Sequence, residues 1–179
     1  MQKILIYGVG NPFRCDDAVG IKITEELKKR IKKPNITIKS GSIDGLSMLD
    51  EILGYDKVLF VDSIKTTDGK PGDIYKIKVN PLKKTPSLSA SHTIDFITAV
   101  RLGREFGYKM PTCIDVYAVE IEDNSCFSEE CTEKVKASIP EVVERIMEEI
   151  KQKGQKKADN KETKMGRQGE WGAKRERKF

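Results

Sequence analysis

Residues 3–20 read KILIYGVGNPFRCDDAVG, and they determine how the rest of the chain is interpreted. Residues 3–7 form a short apolar run, which is typical of a strand buried on both faces of a parallel sheet. A glycine-containing loop follows, and from Val19 onward apolar residues recur every four positions with charged residues between them. This order of strand, loop and amphipathic helix predicts an α/β fold.

The same alternation continues along the chain. Residues 36–40 alternate as a strand, residues 57–62 are apolar up to a final aspartate, and residues 113–119 indicate a further strand. In residues 75–79 apolar side chains alternate with lysines, as expected of an edge strand that must not pair with another sheet. We therefore expect a three-layer α/β sandwich with a mostly parallel, about five-stranded twisted sheet flanked by helices.

Two helix starts are indicated by residues that cap helices. Ser91 predicts the start of a helix that runs to about residue 106. Residues 138–141 (SIPE) match a capping box with proline in the first turn, which predicts the start of the last helix. The apolar stripe of that helix ends at Ile150, where the composition of the chain changes.

Charge is divided unevenly between the two parts of the chain. The sequence has 33 Lys and Arg against 28 Asp and Glu, a formal net charge of +5. Residues 151–179 hold 11 basic and 4 acidic side chains, so the excess positive charge belongs to them and residues 1–150 are slightly acidic. We therefore expect one folded domain, residues 1–150, and a solvated, disordered basic tail, residues 151–179. A folded basic face for nucleic acid is not expected.

The spacing of the cysteines and the first residues of the chain indicate the cellular compartment of the protein. The four cysteines lack the paired CxxC spacing of a zinc knuckle, and we expect reduced thiols, with Cys126 and Cys131 free. We find no leader pattern at the start of the sequence and no apolar run near the ~20 residues of a membrane span. The expectation is a mature, soluble, cytoplasmic protein that does not bind membranes.

The loop after the first strand resembles a dinucleotide-binding loop only at its start. Gly8 and Gly10 supply the first two glycines of GxGxxG, but Phe13 occupies the third glycine position. The second strand ends in Ser40 and a glycine, where a ribose-binding protein would place an acidic residue. These departures argue against a Rossmann site.

Three polar features fall where parallel strands are expected to end. Asp16 and Asp17 are adjacent and diverge on a helix, so they are not a carboxylate dyad, and we expect Asp16 to bind backbone N–H groups. Asp62 closes an apolar strand, where a charge needs a partner. His92 is the single histidine of the chain and lies at a predicted helix start, which favours a neutral imidazole. Together they favour a site for a divalent ion such as zinc or nickel.

Six segments carry a resemblance to a known family. In order they read GVGNPFRCDDAVG, SGSIDGLSML, VDSI, PGDIYKI, SASHTID and SIPEVVERI. Their order and spacing over residues 3–150 resemble those of the hydrogenase maturation endopeptidases. The basic tail has no counterpart in the resemblance.

The resemblance implies a fold of the phosphorylase/hydrolase type and a specific activity. Such an enzyme removes a C-terminal peptide from the large-subunit precursor of a nickel-iron hydrogenase after nickel insertion, so nickel is supplied by the substrate. The implied catalytic and metal-contacting residues are Asp17, Asp62 and His92. Relatives often have Glu at the first position and an acidic residue in place of Ser40. The ion would polarise the scissile carbonyl or generate hydroxide, and one of the two aspartates would act as general base.

Three alternatives stay open on the sequence. The same fold could hold its own zinc and act as an ordinary peptidase or amidase. The protein could instead be a non-enzymatic factor that senses nickel during hydrogenase assembly. Nucleic-acid binding through the basic tail would be salt-sensitive and would disappear on truncation at Lys151.

Overall fold

The computed structural model describes the backbone of residues 2–42, 47–79 and 91–169, with the side chains of these residues except 91–97 and 153–169. The chain divides into two units, Met1–Val143 and Glu144–Phe179. The second unit is helical over its described backbone, residues 144–169. The first unit contains the whole of the sheet.

A five-stranded sheet with the order β2-β1-β3-β5-β4 forms the centre of the first unit. Neighbouring strands pair in parallel except β4, which runs antiparallel to β5 at one side of the sheet. The prediction of a mostly parallel α/β sheet is confirmed, and so is the edge position of the lysine-alternating strand. The strands are β1 (Ile4–Val9), β2 (Ile36–Gly41), β3 (Lys57–Ile64), β4 (Ile74–Val79) and β5 (Cys113–Glu120).

Helices flank this sheet. A 3-10 turn, Cys15–Ala18, leads directly into the first of them. Within the described part of the chain, none of the helices combines the length and hydrophobicity that a membrane span requires. The helices are α1 (Val19–Arg30), α2 (Ser47–Ile52), α3 (Ser91–Glu105) and α4 (Glu133–Gly169).

The side chains of β1 alternate between two faces, as the period of a strand requires. Leu5 and Tyr7 belong to a buried cluster with Met48 of α2 and Val100 of α3. The other face packs on α1 at very short range. A Cβ atom at Gly20 would overlap the backbone carbonyls of β1 and β3, so only glycine lets α1 lie this close to the strands.

The last helix starts earlier than the capping pattern predicted. It begins at Glu133, and the backbone N–H of Lys136 already donates to the carbonyl of Thr132 at 2.9 Å. Ser138 therefore lies inside α4, where its hydroxyl donates to the carbonyl of Val135 at 2.7 Å. The SIPE pattern was misleading because Val135, which is fully buried, holds one further helical turn before it.

The described backbone of α4 continues to Gly169, through residues that the sequence led us to expect as a disordered tail. Ten of residues 151–164 are lysine, glutamine, glutamate or alanine, which are good helix formers. A helix can therefore propagate there from a start that tertiary packing supplies, without an apolar stripe of its own. Residues 170–179 lie outside the described residues.

Polar contacts close the amino edge of the sheet, which we define as the side where the parallel strands begin. Lys57 and Asp115 form an ion pair there, with Nζ and Oδ2 2.8 Å apart and both side chains buried. Asp56 accepts a hydrogen bond from the N–H of Lys3 at 2.8 Å and lies 3.2 Å from Nζ of Lys109. These contacts, the backbone N–H first, lower the pKa of Asp56.

Candidate functional site

The carboxyl edge of the sheet, where the parallel strands end, contains a topological switch point. After β1 the chain returns to the sheet at β2, on one side of β1, and then at β3, on the other side. Loops on the two sides diverge at such a point and leave a crevice, which is where α/β proteins bind ligands. Asp17 follows β1 and Asp62 lies on β3, so both flank this crevice.

Asp17 is half-buried in the 3-10 turn, and each of its carboxylate oxygens accepts one hydrogen bond. The backbone N–H of Asn11 donates to Oδ2 at 2.8 Å, and the hydroxyl of Ser63 donates to Oδ1 at 3.0 Å. Gly10 makes this geometry possible. Its φ of +150° is strained for other residues, and a Cβ atom there would overlap the carbonyl of Asp17.

Asp62 lies near the end of β3 and is only 4% exposed. Asp62 is two residues after Phe60, so the two side chains are on the same face of the sheet. That face carries the buried cluster that includes Met48 and Val100. The backbone N–H of Ser63 donates to Oδ1 of Asp62 at 2.8 Å. Ser63 therefore contacts both carboxylates, one through its hydroxyl and one through its N–H.

Sequence reasoning did not single out Ser63 as a site residue. The signal was present, because Ser63 is part of the VDSI segment at the end of the third strand. A serine next to a candidate ligand residue can be read simply as the last residue of the strand, without a role in the site. Its role becomes visible only when the structure places the 3-10 turn against β3.

Asp16 lies in the same 3-10 turn as Asp17, but its burial and its hydrogen-bond partners are different. Its side chain is fully buried and accepts hydrogen bonds from the backbone N–H groups of Glu122, Asp123 and Thr132 at 2.6 to 3.0 Å. The hydroxyl of Thr132 donates to it as well, at 3.0 Å. Asp16 does bind backbone N–H groups, as the sequence predicted, but they belong to residues 121–132 and not to its own helix. It holds the loop after β5 and the start of α4.

A disulfide joins Cys15 to Cys126, which corrects the expectation that both are free thiols. The Cα atoms lie 5.8 Å apart, within the span of such a bond. The spacing gave no warning, because the partners are 111 residues apart in the sequence. Cys131 is free and buried, and burial, followed by the charge of Asp16, raises the pKa of its thiol to about 11. It is therefore a neutral thiol at physiological pH.

His92 is the second residue of α3, and its side chain lies outside the described residues. The position of the C-terminal end of α3, at Glu105, follows from the hydrogen bonds of the segment after it. The carbonyl of Lys109 accepts the N–H of Gly54, just before β3, and the carbonyl of Asp56 accepts the N–H of Thr112. The helix therefore ends at the amino edge, and its first turn lies ~20 Å away in the direction of the carboxyl edge.

Among the residues whose side chains the structure describes, no group of three or more His, Cys, Asp or Glu is arranged as a metal site. Of the three residues that the sequence selected, Asp17 and Asp62 each contact Ser63, Asp17 through the Ser63 hydroxyl and Asp62 through the Ser63 N–H. A cavity of about 310 Å³ lies elsewhere, at the amino edge beside Lys3, Asn35 and Tyr55. It contains none of the residues that the sequence selected.

Comparison with known proteins agrees with this fold. A family model described as hydrogenase maturation protease (HycI) matches residues 21–149. The hydrogenase 2 maturation protease of Escherichia coli K12 is 26% identical over 158 residues, covering 86% of this chain and 93% of its own.

Two solved structures extend the comparison. The maturating endopeptidase HybD of E. coli superposes with a TM-score of 0.72 at 23% identity, over 86% of this chain and 94% of its own. The [NiFe] hydrogenase maturation protease HycI of Thermococcus kodakarensis gives a TM-score of 0.65 at 26% identity, over 82% and 91%. The family model spans most of the chain, and the chain therefore belongs to the hydrogenase maturation proteases, which are peptide-bond hydrolases.

Proposed function

We propose that this protein removes a C-terminal peptide from the large-subunit precursor of a nickel-iron hydrogenase, and that Asp17, Asp62 and His92 contact nickel already present in that precursor. Nickel in this proposal belongs to the substrate. The observation that carries it is the position of Ser63, which donates its N–H to Asp62 and its hydroxyl to Asp17. The carboxylates of Asp17 and Asp62 thus share Ser63 as a neighbour at the switch point, where a ligand is expected.

The donor set fits a divalent ion of borderline softness. Carboxylate oxygens and an imidazole nitrogen bind nickel and zinc readily. Within the described part of the chain, Asp17 accepts from a backbone N–H and a hydroxyl, both neutral. These donors orient the carboxylate without cancelling its charge, so its attraction for a cation is preserved.

Held by these residues, the nickel of the substrate would supply Lewis-acid chemistry, either polarising the scissile carbonyl or acidifying a water molecule. Asp17 and Asp62 have separate roles around the ion. Asp17 is half-buried whereas Asp62 is 4% exposed, so Asp17 is the carboxylate that a water molecule reaches more easily.

The proposal is tested with the full-length protein and purified precursor in nickel-loaded and nickel-free forms. We expect cleavage of the loaded form only, with mass spectrometry identifying the released peptide and the bond that is cut. Equal rates on the two forms would remove nickel recognition from the proposal. Stoichiometric zinc in the active purified enzyme would favour the zinc peptidase instead.

Substitution of Asp17 separates its chemical role from a structural one. We expect Asp17→Asn to lower kcat/KM for precursor cleavage roughly 100-fold or more, because a carboxylate that contacts the reacting centre is lost. Asp68→Asn is the matched control, since Asp68 is an exposed carboxylate on the loop after β3. Equal activity of the Asp17 variant and the control would exclude Asp17 from the mechanism, and retained activity in His92→Ala would exclude the histidine.

Ser63 is a positioning residue in this scheme. Ser63→Ala removes the hydroxyl that orients Asp17, and we expect a loss in kcat of roughly 10-fold. Ser63→Thr keeps a hydroxyl and should restore most of the activity. If threonine and alanine behave alike, Ser63 contributes packing and not orientation.

A further inference from the structure

Two aromatic rings stand exposed beside the candidate site. Phe13 is 47% exposed and Phe127 is 86% exposed. Their rings are stacked, with centroids 6.0 Å apart and an interplanar angle of 13°. We refer to this pair as the aromatic platform. One ring comes from the loop after β1 and the other from the loop after β5, so the platform lies at the carboxyl edge.

The platform is continuous with Asp17. The backbone N–H of Phe13 donates to the side-chain oxygen of Asn11 at 3.0 Å, and the N–H of Asn11 donates to Asp17 at 2.8 Å. Only two hydrogen bonds therefore separate the platform from the carboxylate. A protein chain that approaches Asp17 from solvent reaches a surface to which these rings belong.

The two loops that carry the rings are fastened to each other. The N–H of Ser128 donates to the carbonyl of Phe13 at 3.0 Å, and the N–H of Cys15 donates to the carbonyl of Ser128 at 2.9 Å. The Cys15–Cys126 disulfide adds a covalent link next to both rings. The platform is held in place before any partner arrives, which lowers the ordering cost of binding.

Charges of both signs surround the aromatic platform. Residues 121–136 carry five acidic side chains and only two basic ones. Lys134 and Lys136 are already paired with Glu122 and Glu130, at 3.1 Å each. Arg14 follows Phe13, Lys65 donates to the carbonyl of Glu122 at 3.0 Å, and the charge of Lys22 acts on Glu130. The charges at this place are therefore balanced, and the apolar rings decide what the platform accepts.

We propose that the aromatic platform docks an apolar side chain of the protein substrate and so presents the neighbouring peptide bond to Asp17 and Asp62. This inference rests on the function proposed above. Buried aromatic residues dominate the energetics of protein interfaces, and a stacked pair offers a rigid apolar surface at low entropic cost. The platform contributes to substrate affinity and not to the chemical step.

The amino edge supplies a matched control. Phe106 and Tyr108 form a second exposed aromatic pair, 65% and 51% exposed, with centroids 6.3 Å apart. They follow α3, at the end of the sheet opposite to Asp17. Their removal should change solubility or stability as removal of the platform would, but should leave docking unchanged.

The test compares Phe127→Ser and Phe13→Ser with Phe106→Ser in steady-state cleavage of nickel-loaded precursor. We expect the first two to raise KM roughly 10-fold or more with kcat nearly unchanged, because uniform binding is lost. Phe106→Ser should match the wild-type enzyme. Phe127→Leu, which keeps an apolar side chain, should recover most of the affinity. Thermal unfolding of all variants shows whether a difference reflects folding.

The outcomes separate this inference from the proposed function. If the wild-type enzyme does not cleave the precursor, the proposed function fails. If it cleaves and the platform variants keep the wild-type KM, only the docking inference is overturned. Analytical sedimentation tests whether a second copy of this chain, and not the substrate, occupies the platform. A dimer that Phe127→Ser abolishes, with KM unchanged, would assign the platform to another copy of this chain.

Discussion

At the amino edge of the sheet, the buried charges of Lys57 and Asp115 lie 2.8 Å apart, so that charge is balanced inside the protein. At the carboxyl edge, the described donors to Asp16 and Asp17 are N–H groups and hydroxyls, which carry no charge. The same sheet thus neutralises one edge and leaves negative charge at the other. Carboxylates are therefore functional candidates where the fold orients them with neutral donors and leaves one of them within reach of solvent.

Breaking the amino-edge ion pair should have the largest effect on stability. Asp115→Ala leaves Lys57 buried without its carboxylate, and we expect a loss of about 3 to 5 kcal/mol in the free energy of unfolding. Chemical denaturation measures this directly. Asp56→Ala is the control at the same edge, because Asp56 is partly exposed and its pairing contributes much less.

A double variant sharpens this result. Replacing Lys57 by Met and Asp115 by Leu removes both charges and retains apolar volume, and we expect most of the lost stability to return. A double variant as unstable as Asp115→Ala would show that packing, and not the unpaired charge, causes the loss.

Asp16 should behave as a structural residue of the carboxyl edge. Asp16→Asn removes the charge that accepts four hydrogen bonds and should cost about 2 to 3 kcal/mol of stability. Asp17→Asn, one residue later, affects only two hydrogen bonds and should lower stability by less than about 1 kcal/mol. Equal losses in the two variants would contradict the distinction between a buried support and an open carboxylate.

Alkaline pH offers a smaller effect at the same edge. Because the pKa of Cys131 is raised to about 11 from an ordinary value near 9, the folded state keeps a proton that the unfolded state loses. Stability should therefore fall as pH rises from about 9 towards about 11. Cys131→Ala should remove this part of the decline. The part due to Tyr7, whose pKa burial raises to about 12, should remain at higher pH.

Removing residues 151–179 should have the smallest effect of all. None of the residues proposed to contact substrate lies in this segment, so we expect the truncated enzyme to cleave precursor with kcat/KM within about twofold of the full-length value. A large loss of activity would assign the basic tail to substrate binding. Repeating the assay at higher salt would show whether its charge is responsible.

Most of the fold could be predicted from the sequence because its signals are local. The apolar run of β3 predicted a central strand, and the alternating lysines of β4 predicted an edge strand. The start of α4 was predicted wrongly, since the local SIPE pattern competed with buried Val135, and burial is a tertiary property. The composition of residues 151–179 predicted a solvated tail, whereas the described backbone of α4 continues to Gly169.

The site could be predicted only in part. Asp62 was selected because a charged residue at the end of an apolar strand needs a partner, and Asp17 because it lies in the loop after the first strand; in the structure each contacts Ser63. The contacts of Asp16 reach residues 122 to 132, and the disulfide reaches Cys126. No local pattern encodes contacts across more than a hundred residues. They arise because β5 returns to the sheet between β3 and β4.

The Cys15–Cys126 disulfide turns most of the fold into a covalent ring. The ring contains β2, β3, β4 and β5, whereas β1 stands outside it as an arm that is inserted between two ring members, β2 and β3. A protease that cuts the chain once inside the ring, for instance between residues 65 and 73, leaves a molecule of unchanged mass apart from the added water. Such a nick is visible on a gel only after reduction.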